Sequence, residues 1–248
     1  MSTVIAHLVE RHRLVDEVVV VDDGSSDATA ERAGAAGAEV VAAVEVLPEC
    51  GPATGKGDAM WKALAHCRGD LVVWCDADLT NFDSRFVTGL LGPLLTDPSM
   101  QFTKACYRRD LDGRPGEGGR VTVLVARPLL NLLFPHLTGF RQPLAGECAG
   151  RRSLLEQLPF APGYGVDLAI LVGAAERAGV EATAQVDLGH RSHRNRPLRE
   201  LSVQAEAVLA TALALAGTSQ EATATASLPW RPPLVEVPAY RARRRPRP

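Results

Sequence analysis

A continuous apolar run that leads into two carboxylates constrains the fold of this chain more than any other stretch. Residues 71–75, Leu-Val-Val-Trp-Cys, are apolar without alternation, which is typical of a strand covered on both faces in a parallel α/β sheet. Asp76 and Asp78 follow, so we expect them at the carboxyl end of the strand, where open α/β sheets bind ligands. Side chains at i and i+2 point the same way, which suits a divalent cation on a diphosphate. An isolated Asp-x-Asp is also typical of an ordinary turn.

Composition narrows the class of protein. The 248 residues carry a formal net charge of −2, which gives no global basic field for nucleic acid or an anionic membrane. No signal-peptide h-region follows Met1, and no uncharged apolar run reaches the roughly 18 residues of a membrane span. The five cysteines are widely spaced without a Cys-x-x-Cys pair, which is typical of reduced thiols. We therefore predict a soluble, cytoplasmic protein with no nucleic-acid or membrane partner.

Strand and helix patterns alternate in the order of an α/β domain. Strands are predicted at 16–22, 39–44, 70–75, 101–111 and 182–188, and helices at 2–12, 28–36, 58–67, 83–95, 154–158, 166–178 and 197–217, with a further helix opening at Arg120. Residues 218–248 are rich in Pro and Arg and have no helical pattern, so we predict an extended arm. Its arginines suit a nucleic-acid contact, but such a short basic terminus is more typical of a solvated tail.

A glycine-flanked lysine opens the helix before the apolar strand. Gly51-Pro-Ala-Thr-Gly-Lys-Gly57 resembles a P-loop, but it lacks the Walker A spacing, and Gly57 replaces the Ser or Thr that would hold magnesium. We therefore exclude a P-loop nucleoside triphosphatase. A helix N-terminus, close backbone approach and a cation still suit a phosphate group, so Lys56 is predicted to contact a diphosphate.

Two later segments gather groups that suit anions or metals. Residues 118–122, Gly-Gly-Arg-Val-Thr, combine backbone amides, a guanidinium and a hydroxyl at a helix N-terminus, which favours an anionic acceptor. Residues 190–196 contain three arginines, two histidines and Asn195 directly after a predicted strand, which favours an anion or metal site. Either segment alone is also typical of a polar surface loop.

The order strand, Asp-Asp-Gly-Ser-Ser-Asp, helix, strand, Gly-Lys-Gly, helix, strand, Asp-Ala-Asp resembles the GT-A glycosyltransferases. Further motifs narrow the resemblance to the glucosyl-3-phosphoglycerate synthases over about residues 2–197, and these are Tyr107-Arg-Arg109, Gly118-Gly-Arg-Val-Thr122, Val125-Ala-Arg-Pro-Leu-Leu130, Leu144-Ala-Gly-Glu147, Pro159-Phe-Ala-Pro-Gly-Tyr-Gly-Val166 and His193-Arg-Asn-Arg-Pro197. The resemblance implies an α/β fold of the Rossmann-like GT-A type, a mostly parallel sheet flanked by helices, with a C-terminal helix and extended tail. It also implies a GT-A domain over 1–217, with a nucleotide-sugar part at 1–111, an acceptor part at 112–196 and an arm at 218–248.

The function implied by the resemblance is retaining transfer of glucose from UDP-glucose to 3-phosphoglycerate by a homodimer that uses Mg²⁺ or Mn²⁺. Carried over by position, the nucleotide-sugar residues are Asp23, Lys56, Asp76, Leu144, Ala145, Gly146 and Glu147, and the acceptor residues are Gly119, Arg120, Val121, Thr122 and Asn195. The metal ligands are Asp78 and His193, and the catalytic residues are Asp76, Asp78 and Glu147.

One departure from the family leaves alternatives open. The resemblance implies an apolar first strand ending in a Pro-Ala-Leu-Asn-Glu-like segment, whereas this chain begins at the helix that follows it. We expect a vacant position in the middle of the sheet, so that either translation starts further upstream or the protein is impaired. A mannosyl-3-phosphoglycerate synthase-like enzyme and a degenerate, non-catalytic nucleotide-binding member are therefore the alternative interpretations.

Overall fold

The structure is a computed structural model that describes residues 6–77, 79, 81–109, 118–191, 198–217 and 228–244. Its strands are β1 Val19–Asp22, β2 Glu39–Ala42, β3 Leu71–Trp74, β4 Phe102–Arg109, β5 Cys148–Arg151 and β6 Thr183–Arg191. Its α-helices are α1 Thr29–Ala35, α2 Lys56–His66, α3 Ser84–Thr96, α4 Arg127–Leu133, α5 Arg152–Leu155, α6 Val166–Ala178, α7 Leu198–Leu215 and α8 Pro238–Arg243. π-Helical segments lie at Ala6–Arg11 and Thr122–Ala126. The predicted α/β class is confirmed.

The described strands form two sheets. β1 and β2 pair in parallel, and the other four strands lie in the order β3-β5-β4-β6. β4 pairs in parallel with β6, whereas β5 runs antiparallel between β3 and β4. β3, β4 and β6 therefore run in the same direction and β5 runs against them, so the mostly parallel sheet that we predicted is confirmed, with one antiparallel strand that we did not predict. The sequence does not predict β5 because Cys-Ala-Gly-Arg contains no β-branched or aromatic residue.

The burial of β1 and β3 differs from the prediction that both strands are covered on both faces. Every residue of β1 is half-buried, and Val72 is the one fully buried residue of β3. Within the described residues, each of these strands is paired to a neighbouring strand along one edge. A continuous apolar run indicates that both faces avoid water, but it does not indicate which edges are paired.

The N-terminal π-helical segment Ala6–Arg11 contacts strands of both sheets. Leu8 is buried in an apolar cluster that includes Leu71 of β3. Val9 packs in a second cluster that includes Val20 of β1. β1 and β3 therefore share the cover of one segment, although no ladder of hydrogen bonds joins them in the described part of the chain.

The core is built on β4 and α6. β4 is buried from Phe102 to Tyr107 and is paired along both edges. α6 is apolar on nearly all sides, as expected for a helix that is enclosed by protein, and its bounds agree with the predicted helix 166–178. Lys104 is buried in β4, and its Nζ donates to the main-chain oxygen of Asp167 at 2.8 Å. This bond fixes the first turn of α6 against the central strand.

The C-terminal segment is folded where the sequence predicts an extended arm without helices. A 3₁₀ turn at Leu234–Glu236 is followed by α8. Leu234, Val237 and Tyr240 are buried in the main apolar core. α8 begins with Pro238, a residue that is tolerated there because the first N–H groups of a helix lack partners. The short length of these elements hides them from a search for helical periodicity.

α7 corresponds to the predicted helix 197–217. Val208 and Ala212 are buried on one side of it, while Leu198 and Val203 are exposed. Among the helices in the described ranges, none has the length and apolarity that crossing a membrane requires.

We expect the backbone amides of β1 to exchange hydrogen much faster than those of β4. The difference should be on the order of 100-fold or more, because opening free energies within one protein run from near zero to the full free energy of unfolding. The physical reason is that β1 is half-buried and paired to one strand, whereas β4 is buried and paired to two. Hydrogen exchange followed by mass spectrometry on peptides covering the two strands measures this, and equal protection would contradict it.

Candidate active site

Lys56 lies at the first position of α2 and reaches two carboxylates. Its Nζ is 3.0 Å from Asp76 Oδ1 and 2.9 Å from Asp167 Oδ2. The flanking glycines are required by the backbone: Gly55 has φ +94, and a Cβ on Gly57 would lie 1.9 Å from the main-chain oxygen of Ala161. The helix begins two residues earlier than predicted, so the lysine belongs to its first turn.

Arg191, at the end of β6, joins the same cluster from the far end of the chain. Its guanidinium NH2 lies 2.6 Å from Asp76 Oδ2 and 3.2 Å from Glu147 Oε1. Arg191 is buried and Glu147 is fully enclosed. Asp76 thus lies between two cations at the carboxyl end of β3, the position that the sequence predicted for it.

The charges of this cluster shift the pKa values of its members in opposite directions. Burial raises the pKa of Asp76, but Lys56 and Arg191 lower it by more, so this carboxyl stays ionised well into acid. Burial lowers the pKa of Lys56, but Asp167 and Asp76 raise it above its usual range. Burial raises the pKa of Glu147, and the nearby Asp76 adds to this against the opposing charge of Arg191. Asp76 therefore keeps its negative charge to lower pH than a free aspartate does, while Glu147 takes up a proton more readily than a free glutamate does.

The segment Leu144–Glu147, which the resemblance assigns to the sugar, approaches Asp76 through Gly146. A Cβ on Gly146 would lie 2.4 Å from both carboxylate oxygens of Asp76, so only glycine lets this carboxylate approach the backbone of residue 146 so closely. Ala145 is fully buried and Leu144 is half-buried. The structure therefore places Gly146 against Asp76, which in turn pairs with Lys56, and Leu144 and Ala145 precede this contact in the chain.

The glycine-rich segment predicted to hold an acceptor is anchored on Arg109. Gly118 N donates to the main-chain oxygen of Arg109 at 3.0 Å, and Gly119 has φ +76, in the left-handed region. Thr122 is buried, while Arg120 and Val121 are half-buried. Residues 118–122 thus form one compact turn that leads into a helix.

Tyr107 and Arg109 connect this turn to the carboxylate cluster. Arg109 NH2 donates to the hydroxyl of Tyr107 at 2.8 Å, and that hydroxyl donates to Glu147 Oε2 at 2.8 Å. The guanidinium groups of Arg109 and Arg191 lie 5.1 and 5.5 Å from the centre of the Tyr107 ring. The two predicted substrate sites are therefore adjacent.

Asp23 lies next to the loop that precedes Lys56. Its Oδ2 accepts a hydrogen bond from Gly55 N at 3.0 Å, and the residue is exposed. The structure thus brings Asp23 to the cluster from the turn after β1. Asp78, His193 and Asn195 lie outside the described residues, so their predicted roles stay predictions. Within the described residues, no group of three or more His, Cys, Asp or Glu side chains is arranged to hold a metal ion.

The sequence motifs alone assign no role to four residues of this site. These are Tyr107, Arg109, Asp167 and Arg191. All four lie inside or next to quoted motifs: Tyr-Arg-Arg, the residue after Gly-Tyr-Gly-Val, and the Arg-rich stretch after β6. Asp167 Oδ1 is buried without a hydrogen-bond partner among the described residues. The sequence could have pointed to Asp167 only through its position, because it is a charged residue directly after the motif that ends at Val166.

Comparison with known proteins identifies the family of this chain. A sequence profile described as Glycosyl transferase family 2 matches residues 2–158. The chain belongs to this family. Its motif resemblance to the glucosyl-3-phosphoglycerate synthases is confirmed by curated members of the family. It is 50% identical to the glucosyl-3-phosphoglycerate synthase of Mycolicibacterium smegmatis over 83% of this chain and 69% of the relative.

Further members of the family are similarly close. The chain is 51% identical to the glucosyl-3-phosphoglycerate synthase of Mycobacterium tuberculosis H37Rv over 82% of this chain and 65% of the relative. It therefore spans about two thirds of the length of these curated relatives. The crystal structure of the M. tuberculosis enzyme in complex with Mn²⁺, UDP-glucose and phosphoglyceric acid matches with a TM-score of 0.84 and 45% identity, over 94% of this chain and 84% of that chain. Mannosyl-3-phosphoglycerate synthase from Rubrobacter xylanophilus matches with a TM-score of 0.86 and 40% identity, over 95% and 84%.

Replacing Arg191 by Met should destabilise the fold by about 3–5 kcal/mol, because it leaves the enclosed carboxylate of Glu147 beside Asp76 without its cation. Adding Glu147→Gln should recover part of this loss, since it removes the repulsion between the carboxylates of Glu147 and Asp76. Urea unfolding of the two single variants and the double variant measures the effect.

Arg141→Met is the matched control, because Arg141 and its partner Asp187 are both largely exposed and such pairs contribute only ~0–1 kcal/mol. Losses that simply add in the double variant would contradict the coupling between Arg191 and Glu147.

Proposed function

We propose that this chain transfers glucose from UDP-glucose to 3-phosphoglycerate, with retention at the anomeric carbon, and so makes glucosyl-3-phosphoglycerate. The observation that carries the proposal is the continuity of the two substrate sites. The Lys56–Asp76–Arg191 cluster is joined through Glu147, Tyr107 and Arg109 to the turn at 118–122. The similarity to glucosyl-3-phosphoglycerate synthases supports the choice of substrates.

The donor lies along Asp23, Lys56, Asp76 and the segment Leu144–Glu147. Asp23 contacts the uracil, and Lys56 faces the diphosphate, where a cation stabilises the charge that develops on the departing UDP. Asp76 and Glu147 border the sugar. The buried oxygen Oδ1 of Asp167, which has no partner among the described residues, is a hydrogen-bond acceptor for a sugar hydroxyl.

The acceptor is held by Gly119, Arg120, Val121 and Thr122, with Asn195 completing the site. Backbone amides at a helix N-terminus and a guanidinium fork favour the phosphate or carboxylate of 3-phosphoglycerate. The contact of Gly118 with Arg109 holds this turn next to Glu147. The acceptor hydroxyl can therefore approach the sugar without a large movement of the backbone.

A divalent cation, Mg²⁺ or Mn²⁺, is held by Asp78 and His193. Both oxygens of Asp76 face cationic side chains, so the role of ligand falls to the second carboxylate of the Asp-x-Asp. Asp76 contacts Arg191, and Asp78 and His193 each lie two residues further along the chain from these two residues. This contact supports the assignment of Asp78 and His193 to one cation. When bound, the cation neutralises negative charge on the diphosphate.

The protein has a nucleotide-sugar part at 1–111, an acceptor part at 112–196 and a C-terminal segment at 218–248, and it works as a homodimer in the cytoplasm. The five thiols are free in the structure, which supports a reducing compartment. Val123, Leu124 and Leu132 are exposed, and an apolar surface of this kind suits a second copy. Sedimentation at the mass of one chain would contradict the dimer.

A second candidate is transfer of mannose from GDP-mannose to the same acceptor, because the mannosyl-3-phosphoglycerate synthase from Rubrobacter xylanophilus matches the fold as well as the glucosyl enzymes do. Side-by-side assays with UDP-glucose and GDP-mannose decide between the two. Binding of UDP without transfer from either donor would instead favour a non-catalytic member.

With UDP-glucose, 3-phosphoglycerate and Mn²⁺, we expect a product of the mass of glucosyl-3-phosphoglycerate, and EDTA should abolish its formation. Asp78→Asn should lower turnover by ~100-fold or more, because a bound cation contributes several kcal/mol of charge stabilisation. Asp97→Asn, at the opposite end of α3 from the site, is the matched control. Near wild-type turnover of Asp78→Asn would refute the metal role.

Arg120→Ala should raise the KM for 3-phosphoglycerate by about 10- to 100-fold and leave the KM for UDP-glucose nearly unchanged, because a charge-assisted contact contributes ~1.5–3 kcal/mol. Arg127→Ala is the control, since its guanidinium donates to the main-chain oxygen of Arg141 instead. Steady-state kinetics with each substrate varied in turn measures the two KM values separately. Equal effects on both substrates would contradict the acceptor assignment.

A further inference from the structure

Arg231 ties the C-terminal segment, residues 228–244, to the loop that leads into Lys56. Its Nε and NH2 donate to the two carboxylate oxygens of Asp58 at 2.8 and 3.2 Å. Its remaining donors bind the main-chain oxygens of Cys50 and of Pro52. The guanidinium also lies 5.4 Å from the centre of the Trp61 ring. One side chain thus contacts both ends of the turn between Cys50 and Asp58.

Asp58 connects Arg231 to Thr54, in the middle of the loop. Its Oδ2 accepts hydrogen bonds from Thr54 N at 2.8 Å and from Thr54 Oγ1 at 2.6 Å. Burial raises the pKa of Asp58, but Arg231 and Thr54 lower it by more, so the carboxylate stays ionised. The next amide, that of Gly55, donates to Asp23, which the proposed function places at the uracil. The contacts therefore run from Arg231 through Asp58 and Thr54 to the donor site.

The segment that carries Arg231 is itself firmly attached. Phe160 and Arg231 exchange two backbone hydrogen bonds at 3.0 and 2.9 Å, and Trp61 Nε1 donates to the main-chain oxygen of Pro232 at 2.8 Å. Further along, Leu234 and Tyr240 are buried in the core. Arg231 is thus held by backbone hydrogen bonds at its own position and by the buried residues that follow it, and such support lets a side chain fix the shape of a loop.

We propose that Arg231 is a positioning residue for donor binding, which holds the loop 50–55 in the shape that presents Lys56, Gly55 and Asp23 to the UDP-sugar. The inference rests on the proposed function. Residues 51–55, which include Gly51, Pro52 and Gly55, belong to no helix or strand that would keep this shape. When it is fixed before the ligand arrives, binding loses less conformational entropy.

The test compares Arg231→Ala and Arg231→Lys with Arg244→Ala. Arg244 lies on the same segment but pairs with Glu156, away from the loop. We expect Arg231→Ala to raise the KM for UDP-glucose about tenfold without changing the KM for 3-phosphoglycerate, since several charge-assisted contacts are lost. Arg231→Lys should fall between, because an ammonium can keep the contact with Asp58 but lacks the fork that reaches the two carbonyls. Arg244→Ala should leave both constants unchanged.

Two measurements that do not require turnover, hydrogen exchange of the free protein and binding of UDP, keep this test separate from the proposed activity. In the Arg231 variants, hydrogen exchange at residues 50–57 should accelerate while exchange in β4 stays unchanged, and calorimetry should show weaker binding of UDP. In Asp58→Asn, adding Arg231→Ala should have a smaller effect than in the wild type, because the contact with Asp58 is already weakened and only the contacts with the main-chain oxygens of Cys50 and Pro52 remain to be lost. If all variants unfold at lower temperature but keep wild-type UDP affinity and loop exchange, Arg231 is merely structural and the inference is wrong. If the wild type binds UDP but transfers no glucose, the activity is refuted while the positioning role still stands or falls on loop exchange and UDP affinity.

Discussion

The ion pair between Asp76 and Arg191 is the interaction on which the site depends. Taking either charge out of water is expensive, and a buried pair is tolerated only when its geometry is good and its other groups are hydrogen-bonded. Here Lys56 forms an ion pair with Oδ1 of Asp76, the oxygen that Arg191 does not contact, and a second ion pair with Asp167. The members come from α2, the end of β3, α6 and β6. The site therefore exists only when all four elements have docked, so the fold and the polar cluster are coupled.

This coupling also separates the roles of two similar carboxyl groups. Asp76 is surrounded by cations and stays ionised, whereas Glu147 is enclosed, lies near another anion and has a raised pKa. Two carboxyl groups of one site thus differ in proton affinity because their surroundings differ. Tyr107 contacts Glu147 directly, because its hydroxyl donates to Glu147 Oε2 and accepts from Arg109.

The sequence predicted those parts of the site that rest on local pattern. The position of Asp76 follows from an apolar run that ends in a carboxylate, and α6 follows from an unbroken helical pattern that ends at a glycine. β5 could not be predicted, because its four residues become a strand only through partners near residues 71 and 102. The pairing of Asp76 with Arg191 joins residues 115 positions apart, which no local pattern encodes. Asp78, His193 and Asn195 rest on the family resemblance alone.

The contact between Arg231 and Asp58 spans 173 positions of sequence, and this has a consequence for how the protein is made. Synthesis proceeds from the N-terminus, so the loop before Lys56 leaves the ribosome long before its fastening residue exists. The early strands and α2 can collapse by themselves, but the loop between them must wait with its carbonyls exposed to water. Closing so long a loop is slow compared with forming helices. Competence to bind the donor should therefore appear as one of the last events of folding, after most of the core has formed.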